Sequence, residues 1–198
     1  MKRAILLSGG MDSYALAYLI KPEMAITIDY GQIPAKAEIQ SSRILCDELS
    51  IKHHILTNDL SNLGSGDLFK KPPSDIAPAS DWWPFRNQML ITLAGMYAIK
   101  YGIKELLIGC VNSDANHIDG TKDFINLIDK LINKQEGNLS VSAPAIEKST
   151  EDLIRSSNIP FSTLAWSHSC HISNLSCGTC RGCIKHKNVT DALGLEAY

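Results

Sequence analysis

From residue 4 to residue 109, short apolar runs alternate with stretches of helical spacing, the pattern a parallel α/β sheet leaves along a chain. Residues 4–7 predict a buried strand, a Ser/Gly turn follows, and residues 14–20 have helical spacing that Pro22 stops. Residues 25–29 predict a second strand with a turn at Tyr30 and Gly31, and residues 35–49 an amphipathic helix burying Ile39, Leu45 and Leu49. Residues 52–56 predict a third strand, paired with the second through a right-handed crossover. Residues 57–84 break the rhythm with Gly64, Gly66, four prolines and two tryptophans, and a loop of that length is usually functional or mobile. A long helix is expected over 86–100 and a fourth strand over 105–109. After an irregular stretch at 110–120, Phe124, Leu127, Ile128 and Leu131 mark a further helix. Ser149, with Asp152 three positions on, caps the start of the next.

The most apolar stretch, residues 89–99, is broken by Thr92 and Gly95 and is too short to span a bilayer. The start, Met1-Lys2-Arg3, leads into too few apolar residues for a signal peptide, so a cytoplasmic location is expected. At 198 residues the chain has room for one substantial core and a small appendage. Its 19 Lys and Arg against 21 Asp and Glu argue against extended phosphate neutralisation on nucleic acid, though not against a local patch. In a reducing compartment its six cysteines are poor candidates for disulfides.

Two segments carry chemistry. Ser8-Gly9-Gly10-Met11-Asp12-Ser13 lies between a buried strand and a helix start. Glycines let backbone approach a ligand closely, and a helix N-terminus aims unpaired N–H groups at an anion. Ser8 and Ser13 add hydroxyls, and Asp12 suits holding the loop or a bound Mg²⁺. The plainer reading is a Ser-Gly turn with Asp12 or Ser13 capping the helix. The second segment is Cys170-x6-Cys177-x2-Cys180-x2-Cys183, four thiolates with the spacing of a tetrahedral Zn²⁺ site. A redox-active CxxC is the alternative, and His168 or His171 could replace one cysteine. Cys46 and Cys110 read as small buried apolar residues.

The hexapeptide resembles the pyrophosphate loop of the N-type ATP pyrophosphatases. Together with the cysteine tail it is the arrangement of the 7-cyano-7-deazaguanine synthase (QueC) family. Leu7–Ser13 resembles that family's ATP loop, and Asp29-Tyr30-Gly31-Gln32 the segment after its second strand. Pro84-Phe85-Arg86-Asn87 resembles the start of its long helix, Glu147-Lys148-Ser149 a lysine-bearing helix start, and residues 177–183 its zinc segment. The resemblance implies a Rossmann-like α/β sheet of the adenine nucleotide alpha hydrolase type over 1–165 and a zinc-binding tail over 166–198. It implies Ser8, Asp12, Ser13, Arg86 and Lys148 as catalytic residues. It implies Leu7, Ser8, Gly9, Gly10, Met11, Asp12, Ser13, Asp29 and Asn87 at the nucleotide, and Cys170, Cys177, Cys180 and Cys183 on structural Zn²⁺. ATP with Mg²⁺ would activate 7-carboxy-7-deazaguanine as an acyl-adenylate, ammonia would give the amide, and a second adenylation the nitrile. A homodimer is left open.

The likeness lapses after the fourth strand. Asp114, Asp119, Asp123 and Phe124 correspond to family positions, but the aromatic, cysteine and arginine positions between them do not. Ile33-Pro34 also replaces the usual Arg-His. The acceptor half of the site therefore departs from the family, and Trp82 and Trp83 become candidates either for stacking on the substrate or for the core. Family-like proteins of antiviral operons imply an alternative acceptor, a protein amine. A tRNA-thiolating pyrophosphatase and a non-catalytic nucleotide-binding partner are the remaining readings. The loop at 8–13 belongs to the sheet, so loss of zinc is expected to disorder the tail before it disturbs ATP binding. The loop is also expected to lie exposed at the sheet's edge, so that substitutions in it change stability little.

Overall fold

A computed structural model describes residues 1–195. Five parallel strands form one sheet in the order β3-β2-β1-β4-β5. They are β1 (Arg3–Leu6), β2 (Met24–Asp29), β3 (Lys52–Thr57), β4 (Glu105–Ile108) and β5 (Ser140–Ser142). The connecting helices are α1 (Met11–Ile20), α2 (Ala35–Leu49), α3 (Arg86–Ala98) and α4 (Lys122–Asn133), followed by α5 (Thr150–Ser157), α6 (Phe161–Leu164) and α7 (Arg181–Ala192). The pairing of β2 with β3 runs in register from Met24 with Lys52 to Asp29 with Thr57, as the sequence predicts. β1 is the central strand, flanked by β2 and β4. The loop that follows it is thus at the middle of the sheet and not at its edge.

Because side chains alternate across a strand, the sheet divides the interior into two cores. Ala4, Ile26, Ile28, Leu106 and Ile108 pack with Ile91, Ile125 and Ile128 beneath α3 and α4. Ile5, Leu7, Ala25 and Leu107 pack with Tyr14, Leu16, Leu45 and Leu153 beneath α1, α2 and α5. Each fully buried Leu or Ile contributes about 1.5–3 kcal/mol. This covering of both faces explains the near-continuous apolar strands.

Three differences from the sequence expectation have physical causes. α1 begins at Met11 because Gly10 takes the N-cap position in an extended conformation, so the helix starts inside the loop. α4 buries Ile125, Ile128 and Ile132, while Leu127 and Leu131 are 65% and 56% exposed. Those isoleucines share one face at i, i+3 and i+7, whereas Leu127 and Leu131 fall beside it. β5 is three residues long and two of them are serine, too short and polar to show as a strand. Ser149 caps α5 as expected, accepting from the Asp152 N–H at 3.0 Å.

Candidate active site and metal centre

In strand order β1 and β4 are neighbours although their connections leave to opposite sides, which makes the carboxyl ends of these strands a topological switch point. A cavity of about 440 Å³ opens there, lined by Leu6–Ser8 and Gly10–Ser13 from the β1–α1 loop and by Ile108–Cys110 from the end of β4. Thr27, Ile28 and Tyr30 supply the β2 side, and Arg86, Asn87 and Leu90 the start of α3.

The loop owes its shape to close packing. Gly9 has φ +79°, and a Cβ there would lie 2.7 Å from the Glu38 carbonyl oxygen. Its own carbonyl accepts from Ser41 Oγ at 2.9 Å and from the His168 N–H at 2.8 Å, so α2 and the C-terminal tail both anchor it. Gly109 lets β4 pass the loop, since a Cβ there would meet Ser13 Cα at 2.9 Å. Ser13 Oγ donates to the Gly10 carbonyl at 2.9 Å and lies 3.2 Å from Ser8 Oγ. Among the described residues no side chain caps α1, so neither Asp12 nor Ser13 does the capping that the plainer reading assigned them. The first turn of α1 faces the cavity uncapped, which suits an anion.

Asp12 is instead ion-paired. Lys185 Nζ of α7 lies 2.9 Å from Asp12 Oδ2 and 3.4 Å from Asp114 Oδ1. Burial pushes the Asp12 carboxyl up, with Lys185 acting against it. Burial also works against the Lys185 charge, but Asp12 and Asp114 outweigh it and raise the ammonium pKa. Asp114 Oδ2 accepts from the Val111 N–H at 3.0 Å, which fixes the loop after β4.

Arg86 is half-buried in the cavity wall. Burial disfavours its charge, yet Tyr30, Asp119, Asp81 and Glu38 hold its pKa above the ordinary value. Asn87 lines the wall too and is held by Asp119, whose Oδ2 accepts the Asn87 N–H at 3.1 Å and whose carbonyl accepts Asn87 Nδ2 at 3.0 Å. Glu38, which accepts from Gln32 Nε2 at 2.7 Å, is pushed up to about 7 by burial. Burial likewise pushes the Cys110 thiol up to about 12.

Three expected site residues lie off the cavity lining, one of them Gly9, which packs against α2. Asp29 closes the turn after β2 by accepting the Gly31 N–H at 3.0 Å, and Thr27, Ile28 and Tyr30 form the wall beside it. Lys148 Nζ donates to Ser156 Oγ at 2.9 Å, along α5 and away from the cavity lining, although its carbonyl anchors the Asn112 N–H at 3.0 Å. The tryptophans are not stacking partners in the cavity. Trp83 is 4% exposed and packs against Tyr30 and Phe69 at ring-centroid distances of 5.0 and 4.7 Å, and Trp82 does not line the cavity.

The opposite wall holds a charged group that the sequence does not flag. Asp81, from the long irregular loop, lies 2.7 Å from Arg181 Nη1, 3.5 Å from His117 Nε2 and 3.7 Å from His171 Nδ1. Burial alone would raise its pKa, but His117, His171 and Arg181 together hold it well below the usual carboxylate range. One carboxylate thus ties the 57–84 loop, the loop after β4 and the tail.

The four tail sulfurs of Cys170, Cys177, Cys180 and Cys183 lie within 4.8 Å of one another. Thiolates about 2.3 Å from a tetrahedral zinc ion stand roughly 3.8 Å apart. The Cys177–Cys183 and Cys170–Cys180 separations of 3.8 and 3.9 Å match. N–H groups of Thr179 and Cys180 donate to Cys177 Sγ at 3.4 and 3.3 Å and push that thiol down to about 6, whereas burial pushes the Cys180 thiol up to about 12. His168 Nε2 contacts the Ser173 carbonyl at 3.1 Å and His171 faces Asp81, so neither histidine replaces a cysteine. The group that could hold a metal is therefore all sulfur. Its flanks reach the cavity through His168–His171, Arg181, Gly182 and Lys185. The tail therefore forms a wall of the cavity.

Lys185, Asp81, Glu38 and Arg181 escaped sequence reasoning, since each lies in a segment whose spacing marks other residues. Among the described residues no helix is long and apolar enough to cross a membrane. A family model described as Queuosine biosynthesis protein QueC matches residues 2–193. Proteins named 7-cyano-7-deazaguanine synthase are similar over nearly the full length. That of Methanosarcina barkeri is 27% identical over 222 residues, covering 99% of this chain and 96% of its own. That of Nitratiruptor sp. is 30% identical over 202 residues, with coverages of 92% and 90%. That of Methanocaldococcus jannaschii is 27% identical over 225 residues, with coverages of 99% and 97%. With the loop, the switch-point cavity and the four-sulfur group all inside the matched span, the chain belongs to the QueC family.

Proposed function

We propose that this chain uses ATP to activate a 7-deazaguanine carboxylic acid and transfers the acyl group to ammonia, giving 7-cyano-7-deazaguanine. The observation that carries the reading is the Ser8–Ser13 loop opening, uncapped, onto the switch-point cavity, with Asp12 and Asp114 converging on its floor. The acid's carboxylate oxygen attacks the α-phosphorus, the bond to the bridging oxygen breaks, and pyrophosphate leaves. Ammonia then forms the C–N bond as AMP departs and a proton is lost to solvent. The amide oxygen attacks the α-phosphorus of a second ATP, a second pyrophosphate leaves, and loss of AMP and two N–H protons leaves the nitrile.

The protein's work is electrostatic and positional. The first N–H groups of α1 and the Ser8 and Ser13 hydroxyls receive the departing pyrophosphate, and Arg86 offers a bidentate clamp for phosphate or carboxylate. Mg²⁺, held by Asp12 and Asp114, would neutralise charge on the polyphosphate. Lys148, which the family resemblance makes catalytic, would need its ammonium to leave Ser156. Zn²⁺ on the four cysteines would hold the tail as a wall of the site and take no part in the chemistry. A homodimer is part of the proposal, to be read by light scattering.

A second acceptor is favoured by one observation. The wall where the sequence departs from its family presents His117 beside Asp81, His171 and Arg181. That altered wall fits a different nucleophile, a protein amine. ATP–pyrophosphate exchange across a panel of acids tests the activation step. Mass spectrometry of the chain with ATP, 7-carboxy-7-deazaguanine and ammonia tests the product. Nitrile supports the first reading; exchange without nitrile, with product formed from a peptide amine, supports the second. No exchange with any deazaguanine acid rejects both.

A further inference from the structure

Lys185 belongs to neither the ATP loop nor the cysteine set, yet its ammonium is the cation closest to Asp12. It stands between the two carboxylates best placed for Mg²⁺, 2.9 Å from one and 3.4 Å from the other. An ammonium and a divalent cation seek the same carboxylate oxygens, and both cannot have them at full strength. The charges are matched unevenly: two carboxylates and one ammonium carry a net −1, whereas two carboxylates and Mg²⁺ are neutral and leave a free positive charge beside the cavity. Lys185 is able to use that charge. Its side chain is 37% exposed on a flexible stem, and its helix begins at Arg181, held to Asp81, and is anchored by Cys180 and Cys183.

We propose that Lys185 is a catalytic residue that exchanges partners. Mg²⁺ takes Asp12 and Asp114, and the displaced ammonium moves onto the phosphate oxygens of the nucleotide, where it follows the charge to the departing pyrophosphate. This role rests on the ATP reading above but not on the identity of the acceptor acid. It also gives the cysteine-rich tail a direct part in the site, because α7 delivers the group.

The test is made on the zinc-loaded chain without acceptor acid. Mn²⁺ binding is followed by electron paramagnetic resonance and pyrophosphate binding by calorimetry, for wild type and Lys185→Gln. Removing the ammonium should tighten Mn²⁺ by about tenfold or more, since its competitor is gone, and weaken pyrophosphate by about tenfold, the scale of one lost charge-assisted contact. Unchanged Mn²⁺ affinity, or weakening of both ligands, overturns the exchange. Should Lys185→Gln fail to fold, wild type answers the same question through amine labelling read by mass spectrometry. Mn²⁺ should speed labelling of Lys185 and pyrophosphate with Mn²⁺ should slow it; labelling indifferent to both overturns the proposal. If wild type binds neither pyrophosphate nor ATP, the nucleotide reading itself fails, an outcome distinct from a Lys185→Gln chain that binds as wild type does.

Discussion

Asp81→Asn tests whether one buried carboxylate holds the three walls of the cavity together. The substitution keeps the side chain's size and one acceptor for Arg181 Nη1 but removes the negative charge that Arg181, His117 and His171 surround. A charge pair 4 Å apart at an effective dielectric near 20 is worth about 4 kcal/mol. The Arg181 side chain is 43% exposed, so solvent screens much of this, and the retained Asn contact recovers part of the rest. A net loss of roughly 1–2 kcal/mol follows. The sign with pH is fixed by the direction of the shift. The folded carboxyl titrates below its unfolded value, so its stabilisation is present above about pH 4, the unfolded pKa, and is lost as pH falls toward the folded one. Urea unfolding of the metal-loaded chain at pH 7 and along the acid limb, with Arg181→Met and the double variant, isolates the pair. An Asp81→Asn chain with the wild-type midpoint at pH 7 and the same acid limb would refute the reasoning, because the carboxylate would then be a bystander.

Ser8→Ala and Asp12→Ala should each lower pyrophosphate release at least about tenfold in a coupled phosphate assay while leaving the unfolding midpoint nearly unchanged. Burial already opposes the Asp12 charge, and Lys185 keeps Asp114 at 3.4 Å as a partner when Asp12 is removed, so the cost to the fold is small. Trp83→Ala should cost about 3–5 kcal/mol in urea unfolding by emptying the space between Tyr30 and Phe69, whereas Trp82→Ala should leave affinity for the acid, read by calorimetry, unchanged. Glu38, raised by burial to about 7, favours the fold while protonated, and that contribution is lost as pH rises from its unfolded value through 7. Glu38→Gln should therefore flatten the decline of stability between about pH 5 and 7, by up to about 1.4 kcal/mol per unit, in denaturation series at each pH.

The strands and their order of appearance were legible because both sheet faces are covered, leaving apolar runs such as 4–7 and 25–29 that polar turns delimit. The Ser8–Ser13 loop and the four cysteines were legible because backbone shape and metal geometry each demand specific residue types at fixed spacing. Lys185 was not, since two positions past Cys183 it reads as one charge on a solvated helix, and only folding brings it across 173 positions to Asp12. Asp81 was hidden for the same reason: its partners come from segments 36 and about 100 positions away. The resemblance placed Lys148 in the site, but the α5 start directs its ammonium along the helix to Ser156. Trp83 was undecidable from sequence because a large aromatic next to a site residue fits either wall or core, and here it supports the wall residue Tyr30 from behind.

The anchoring of the β1–α1 loop to the tail, through the His168 N–H on the Gly9 carbonyl and Lys185 on Asp12, has a thermodynamic corollary. Two ligands whose sites share a wall are linked reciprocally, so whatever factor the metal adds to nucleotide affinity, the nucleotide must return to metal affinity. At equilibrium a chelator should then strip zinc from the chain less completely when Mg²⁺-ATP is present, and the ratio of the two zinc affinities should equal the ratio of the two nucleotide affinities. In a cell short of zinc, abundant ATP would act as a reserve of metal retention, keeping the tail closed where free thiols would otherwise compete for the ion.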